Sequence, residues 1–324
     1  MNTLTDSLPP STLATTRWHK PLLWLAIAML GLALACGIGM LVDDRTLLGV
    51  NVWEKPLKFA ISTVVYAITW SWLIGQLQRG HRIAWWAGTA SAILLVIELV
   101  IIAGAAIFGI TSHFNVATPL NIALWSIMAF SITALWIATF VVSILLFRNP
   151  LGDQARTLAI RAGAVISLVG MGLAFLMTSP NAQQLDDFQG IAGAHTVGIA
   201  DGGPGLPLLG WSTVAGDLRI PHFIGMHALQ AIPLLLILIE LASRRVSRLR
   251  DGEVRHRLVA IASVSYLAVL ALLTWQALRG QSIVQPDATT IAITLVIAAS
   301  ALAAVVTALV APTGDAGERA PSTP

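Results

Sequence analysis

Ala92-Ile93-Leu94-Leu95-Val96-Ile97-Glu98-Leu99-Val100-Ile101-Ile102-Ala103-Gly104-Ala105-Ala106-Ile107-Phe108-Gly109-Ile110 carries one charged group, Glu98, in an otherwise apolar run. It belongs to a longer apolar segment, 83–110. Crossing a bilayer takes about 20 predominantly apolar residues. Backbone amides in hydrocarbon must find partners within the protein, which a helix provides. The segment therefore reads as a membrane-spanning helix. Seven further segments share its character: 21–42, 57–77, 119–147, 157–178, 221–242, 257–278 and 288–311. They are too long and too uniformly apolar for barrel strands. The expected fold is all-α, a polytopic membrane helix bundle of about eight transmembrane helices. Segments 83–110 and 119–147 exceed the usual span, which predicts tilt or extension past the hydrocarbon.

Composition agrees. The chain is 56% hydrophobic and 11% charged, with mean hydropathy +0.79, whereas soluble domains carry about 25% charged residues. The net charge is only +3, and no basic patch is interleaved with aromatics, so nothing suggests a nucleic-acid partner. The bilayer is the expected partner, with another membrane subunit as an alternative. The single cysteine, Cys36, cannot form an internal disulfide. Its setting, Ala33-Leu34-Ala35-Cys36-Gly37, faintly resembles a lipoprotein cleavage site. However, Ala33 stands where leucine is wanted and the apolar run continues to Val42, so an uncleaved helix is expected.

Eight spans place both termini on one side. Fourteen Lys and Arg residues then collect on that face, most densely at Arg244, Arg245, Arg248, Arg250, Arg255 and Arg257. The other face holds five: Arg45, Lys55, Lys58, Arg219 and Arg279. The positive-inside rule puts the richer face and both termini in the cytoplasm of a bacterial inner membrane. The domain reading is a disordered tail at 1–20, a transmembrane domain at 21–311 with a long outer loop at 179–220, and a disordered tail at 312–324. The long loop mixes glycines with Phe188, Leu206, Leu208, Leu209 and Trp211, which suggests an ordered segment packed over helix ends. Small residues at four-residue spacing, as at Gly163 and Ser167, fit close helix packing within one bundle or between two copies. Lys55-Pro56-Leu57-Lys58-Phe59 and Ile220-Pro221-His222-Phe223 each open the second span of a four-span half. A parallel duplication accounts for this, as does coincidence.

The outer face concentrates the candidate chemistry. Asp217, Arg219, His222, His227 and Gln230 mark the entry to the sixth span. His222 and His227 differ by about 140° on an ideal helix and cannot chelate one metal as an i, i+4 pair would. His222 belongs at the rim, while His227 and Gln230 share an inward face. Asp217 and Arg219 fit either an ion pair fixing the loop or a site for an anionic group. His113 and His195 join the outer set, so His227, His222, His113 and His195 are the candidate metal ligands. His19, His81 and His256 lie on the opposite face and read as solvated. Lys58 sits inside the second span, within reach of Glu54 four residues earlier. Glu98 lies near the midplane as either a proton or cation path or a neutral packing acid. With His113 fifteen residues further on, about 22 Å along a continuous helix, the two are not expected to touch.

No Walker A loop, nucleophile elbow, His-Glu-x-x-His or Cys-x-x-Cys motif occurs. The pattern G-W-S-x-x-x-G-D-L-R-x-x-H-F-x-G-x-H-x-x-Q over 210–230, with Trp53–Phe59, resembles a family of uncharacterised bacterial multi-pass inner-membrane proteins. That resemblance implies the architecture and no activity. Eight spans with histidines at outer helix ends are also loosely similar to haem A synthase, whose paired glutamate-histidine-arginine motifs are not matched, so none of its residues carry over. The leading expectation is an outward-facing site using His227, His222, His113, Asp217, Arg219 and Gln230, taking haem or a transition metal for redox or assembly chemistry. The alternatives are a transporter or channel using Glu98 and Lys58, with the long loop as a lid, and a non-catalytic partner subunit.

Overall fold

The computed structural model describes residues 17–312. The described residues form ten helices and almost no sheet, the all-α bundle expected. Seven helices are long and apolar enough to cross a membrane, and an eighth span forms if a bent pair is counted as one. The remainder of both expected tails lies outside the described residues, but the N-terminal tail ends earlier than residue 20. His19 is buried, and its Nδ1 caps the first helix by accepting from Leu22 N at 3.3 Å. Its Nε2 donates to the Trp85 carbonyl at 2.9 Å. The expectation of a solvated His19 is therefore wrong, because the ring is consumed in closing a helix end. His256 is also half-buried, whereas His81 is exposed.

The chain divides into two compact units. The first contains α1 (Lys20–Val42), α2 (Glu54–Gln76), α3 (His81–Phe108) and α4 (Pro119–Phe147), together with Phe175–Val214, which includes the short α6 (Ala182–Asp186). The second contains α5 (Gln154–Gly172), α7 (Arg219–Met226), α8 (Ala228–Ala242), α9 (Gly252–Leu278) and α10 (Ala288–Val310). Counting α7 and α8 as one broken span gives each unit four. In both units the first span packs on the second, the second on the third and the third on the fourth.

In the first unit, a hairpin of β1 (Thr46–Leu47) and β2 (Val50–Asn51) joins α1 to α2. Asp43 gathers this end: Arg45 engages both its carboxylate oxygens, at 2.7 Å at the closest, and Trp53 Nε1 donates to it at 2.8 Å. Arg45 also donates to the Ile107 carbonyl near the end of α3. At the opposite end, Asn149 accepts from Gln78 and Arg79 and donates to the Arg79 and Leu145 carbonyls. Both linkages satisfy backbone groups that helix termini leave open.

In the second unit, glycines set the distance between helices. A Cβ on Gly170 would lie 2.2 Å from the Gly225 carbonyl carbon, and one on Gly163 would lie 2.9 Å from Leu229 Cα. The expected span at 221–242 is broken at His227, where α7 and α8 meet at 48°. Neighbouring side chains take up carbonyls beside the break. Ser167 Oγ donates to Met226 O at 2.7 Å, and Tyr266 Oη donates to Ile224 O at 2.6 Å. Gly163 and Ser167 thus serve packing inside one unit.

Gly170→Ala is expected to lower stability by about 1–3 kcal/mol, because the added methyl meets backbone that cannot yield. Gly31→Ala, with nothing within 4 Å of the new atom, is expected to be neutral or slightly stabilising. Thermal unfolding in detergent followed by circular dichroism distinguishes the two.

Candidate functional site

The first unit builds its site by reversing the chain at the end of α3. Gly109 adopts φ +66°, and its N–H returns to the Ala105 and Ala106 carbonyls, which ends the helix at Phe108. The chain then folds back. Phe114 is buried with φ +62°, a left-handed conformation that costs a non-glycine residue about 1–3 kcal/mol unless its surroundings enforce it. This turn aims His113 down toward the helix it follows. His113 Nε2 comes within 3.9 Å of Glu98 Oε1. The separation of about 22 Å anticipated from a continuous helix is overturned, since axial rise stops at the glycine cap.

Glu98 is 1% exposed, and its Oε2 has no hydrogen-bond partner among the described residues. On the far side of the imidazole, Nδ1 lies 3.1 Å from Lys55 Nζ and 3.0 Å from Ser112 Oγ. An ammonium can only donate, so Nδ1 accepts and the neutral ring carries its proton on Nε2, facing Glu98. Phe59 and Trp125 enclose the ring, with centroids at 5.7 and 5.6 Å. Burial holds His113 well below the usual histidine range, and the positive charges of Lys55 and His195 lower it further. One turn along α2, Lys58 pairs with Glu54 at 2.8 Å, as the spacing suggested, and also donates to the Leu209 carbonyl at 3.0 Å.

Residues 175–214 cover this cluster. Val116 N donates to Gly190 O and Ala192 N donates to Phe114 O, both at 2.8 Å, which ties the segment to the reversed turn. His195 stands over His113, with ring centroids 6.4 Å apart. Its Nδ1 lies 2.6 Å from Asp201 Oδ2. Asp201 also accepts from the backbone N–H groups of His195 and Thr196 and from the Thr196 hydroxyl. Burial pushes the Asp201 carboxyl up, but these bonds outweigh it and hold the group below the usual carboxylate range.

The second unit holds the remaining candidates. Asp217 and Arg219 form a bidentate pair, 2.6 Å at the closest, with the Asp217 side chain fully buried. The same Asp-x-Arg geometry recurs at Asp43 and Arg45. His222 Nδ1 donates to the Gly170 carbonyl at 2.8 Å. His227 lies at the break, with Nδ1 3.4 Å from Gln230 Oε1 and its ring edge-on to Phe223 at 4.6 Å. The four histidines nominated as metal ligands thus divide, His113 and His195 in one unit and His222 and His227 in the other. Among the described residues, no three His, Cys, Asp or Glu side chains are grouped to hold a metal ion.

Sequence reasoning did not nominate Lys55 or Asp201 as site residues. The signal for Asp201 was its place six residues after His195 in a glycine-rich loop, where a carboxylate commonly organises a turn. Comparison with known protein families, curated proteins and solved structures finds no match to this chain.

Asp201→Asn is expected to destabilise the cover by roughly 1.5–3 kcal/mol, the range for hydrogen bonds to a charged group. It should appear as lower hydrogen-exchange protection over 195–201. The pH dependence follows from two depressed values. The Asp201 contribution is complete above the unfolded carboxylate value of about 3.9 and is lost as pH falls below it. The His113 contribution is complete above about 6.5 and declines as pH falls below that. Protection factors over 110–117 should therefore begin to fall at mildly acidic pH, before those over 195–201.

Proposed function

We propose that this chain is a proton-coupled membrane transporter, with Glu98, His113 and Lys55 as its protonatable site and residues 175–214 as its cover. The observation that carries this reading is a buried carboxylate with one oxygen unpartnered, aimed at a neutral histidine that is itself joined to a lysine. Ionisable side chains inside a membrane are costly, and they commonly mark proton or ion pathways. The tautomer supplies a direction. The Nε2 proton passes to Glu98 as Nδ1 takes one from the Lys55 ammonium, leaving a neutral lysine, a neutral histidine and a protonated acid. The approach of Nε2 to Oε1 must shorten by about 1 Å to reach charge-assisted hydrogen-bond distance. His195 and Asp201 stand where this step meets the cover.

The excess of Lys and Arg on one face supports placing both termini in the cytoplasm of a bacterial inner membrane. The haem or metal reading has less support, because no three metal-ligating side chains are grouped among the described residues and His222 and His227 are engaged by Gly170 and Gln230. Nothing observed favours a purely structural partner subunit.

Purified protein reconstituted in vesicles with an entrapped pH dye should discharge an imposed proton gradient. Glu98→Gln preserves volume and should reduce flux to that of empty vesicles, and His113→Ala should do the same. His227→Ala should leave most of the flux intact. Wild-type flux indistinguishable from empty vesicles, in the presence of a panel of small cationic and anionic solutes, would overturn the proposal.

A further inference from the structure

The second unit carries an arginine-rich end whose charges are only partly used. Between α8 and α9 the chain passes through a short 3-10 turn, Ser247–Arg250. Arg248 donates to the Leu309 and Ala311 carbonyls, and Arg250 to those of Ser243 and Arg244. Arg255 donates to the Leu249 and Arg250 carbonyls and pairs with Asp153 at 3.5 Å, while Arg257 pairs with Glu253. Arg244 and Arg245 are exposed, and their side chains have no partner among the described residues. The neighbouring acids are committed: Glu240 to Arg156 at 3.2 Å, Glu253 to Arg257, and Asp251 to capping α9. Leu241 and Val246, 48% and 47% exposed, flank the pair. Two guanidinium groups beside exposed apolar side chains, at the end of a membrane-spanning helix, match the boundary between headgroups and hydrocarbon.

A second observation lies on the same two helices. An apolar cavity of about 380 Å³ opens between α7–α8 and α9, lined by Ile224, Ala231, Leu235, Ala262, Tyr266 and Val269 among others. Leu235 is nine residues from Arg244 along the chain, and Ala262 is seven from Arg255. At 1.5 Å per residue the cavity begins about 14 Å from Arg244. One leaflet of hydrocarbon is about 15 Å deep, so a chain anchored at the arginines reaches the cavity.

We propose that this end of the second unit binds an anionic phospholipid. Its phosphate sits on Arg244 and Arg245, and one acyl chain runs along α8 and α9 into the cavity. Bidentate guanidinium groups suit phosphate oxygens, and clusters of basic residues beside a membrane helix attract anionic headgroups. The proposal stands independently of the proton-transfer reading, which concerns the first unit.

The test uses the full chain in mild detergent, titrated separately with phosphatidylglycerol, phosphatidylcholine and glycerol 3-phosphate. Binding is read by native mass spectrometry and thermal shift. Phosphatidylglycerol should bind and stabilise, phosphatidylcholine should do so more weakly, and glycerol 3-phosphate should have no effect. The double variant R244Q/R245Q should lose about tenfold to thirtyfold in phosphatidylglycerol affinity, the loss expected of two surface charges. Its melting temperature in lipid-free detergent should be unchanged, because both side chains are exposed and unpartnered. Ala262→Phe, which fills the cavity, should weaken both lipids together. Equal binding of the two lipids to the wild type would overturn the proposal, as would a double variant that keeps its preference. Stabilisation by glycerol 3-phosphate equal to that by the lipid would mean an anion site without an acyl chain, and would also overturn it. If Ala262→Phe fails to fold, the wild type and the double variant still decide.

Discussion

A helix that breaks within hydrocarbon releases carbonyls that water cannot reach, and the second unit depends on how those carbonyls are satisfied. At the α7–α8 break, Ser167 and Tyr266 supply hydroxyl donors to Met226 O and Ile224 O. Ser167 reaches Met226 O because Gly170 and Gly225 let α5 and α7 approach until their backbones touch, while Tyr266 comes from α9. The glycines, the two hydroxyls and the bend form one arrangement. A larger residue at Gly170 would push α5 away and strand the Met226 carbonyl along with the contact. Small residues at membrane helix interfaces are generally explained by packing. Here they also bring hydroxyl donors to carbonyls that would otherwise be buried without a partner.

The first unit solves a different problem, the burial of charge. Glu98 lies where an isolated carboxylate is expensive. His113 stands between it and Lys55, so the cation reaches the acid through an imidazole instead of a direct salt bridge. Lys58, only three residues beyond Lys55, does pair directly with Glu54, so the same helix carries a closed ion pair and an open one. A closed pair fixes charge in place. An open chain of acid, imidazole and ammonium allows a proton to be redistributed without moving any side chain far. The strained turn at Phe114 is the structural cost of this arrangement, since it directs His113 inward. The covering segment is anchored to that same turn, through Gly190 and Ala192, which is where the enforcing contacts are needed.

The limits of the sequence reading follow from these two devices. Hydropathy located the spans to within a few residues, and α4 begins and ends where the apolar run does. It succeeds because the bilayer imposes one requirement on every spanning segment. The Glu54–Lys58 pair was legible because i, i+4 spacing on a helix fixes proximity. The Glu98–His113 approach was not legible. Helical rise carries no information past Gly109, and the reversal depends on Phe114 accepting a conformation its residue type disfavours. The bend at His227 was equally hidden. Pro233 is visible in the sequence, but the break lies six residues before it and depends on Gly170, Ser167 and Tyr266, which come from other helices.

The two units share an order of packing and diverge in chemistry, and this divergence bears on what a duplication would have preserved. Both second spans open with a proline in the first turn, at Pro56 and Pro221, where a missing N–H costs nothing. Both units use an Asp-x-Arg staple at the less basic end. Past these common features, α2 presents Lys55 and Lys58 where α7 presents His222 and Phe223. In the first unit the second span is one unbroken helix, with Lys55 joined to His113 and Lys58 paired with Glu54. In the second it is bent, and His222 is spent on the Gly170 carbonyl near the end of α5. A frame shared by both units would leave the first free to retain a titratable pathway. The second would then be free to spend its polar groups on backbone, and to carry the arginine-rich turn that no structural bond fully occupies.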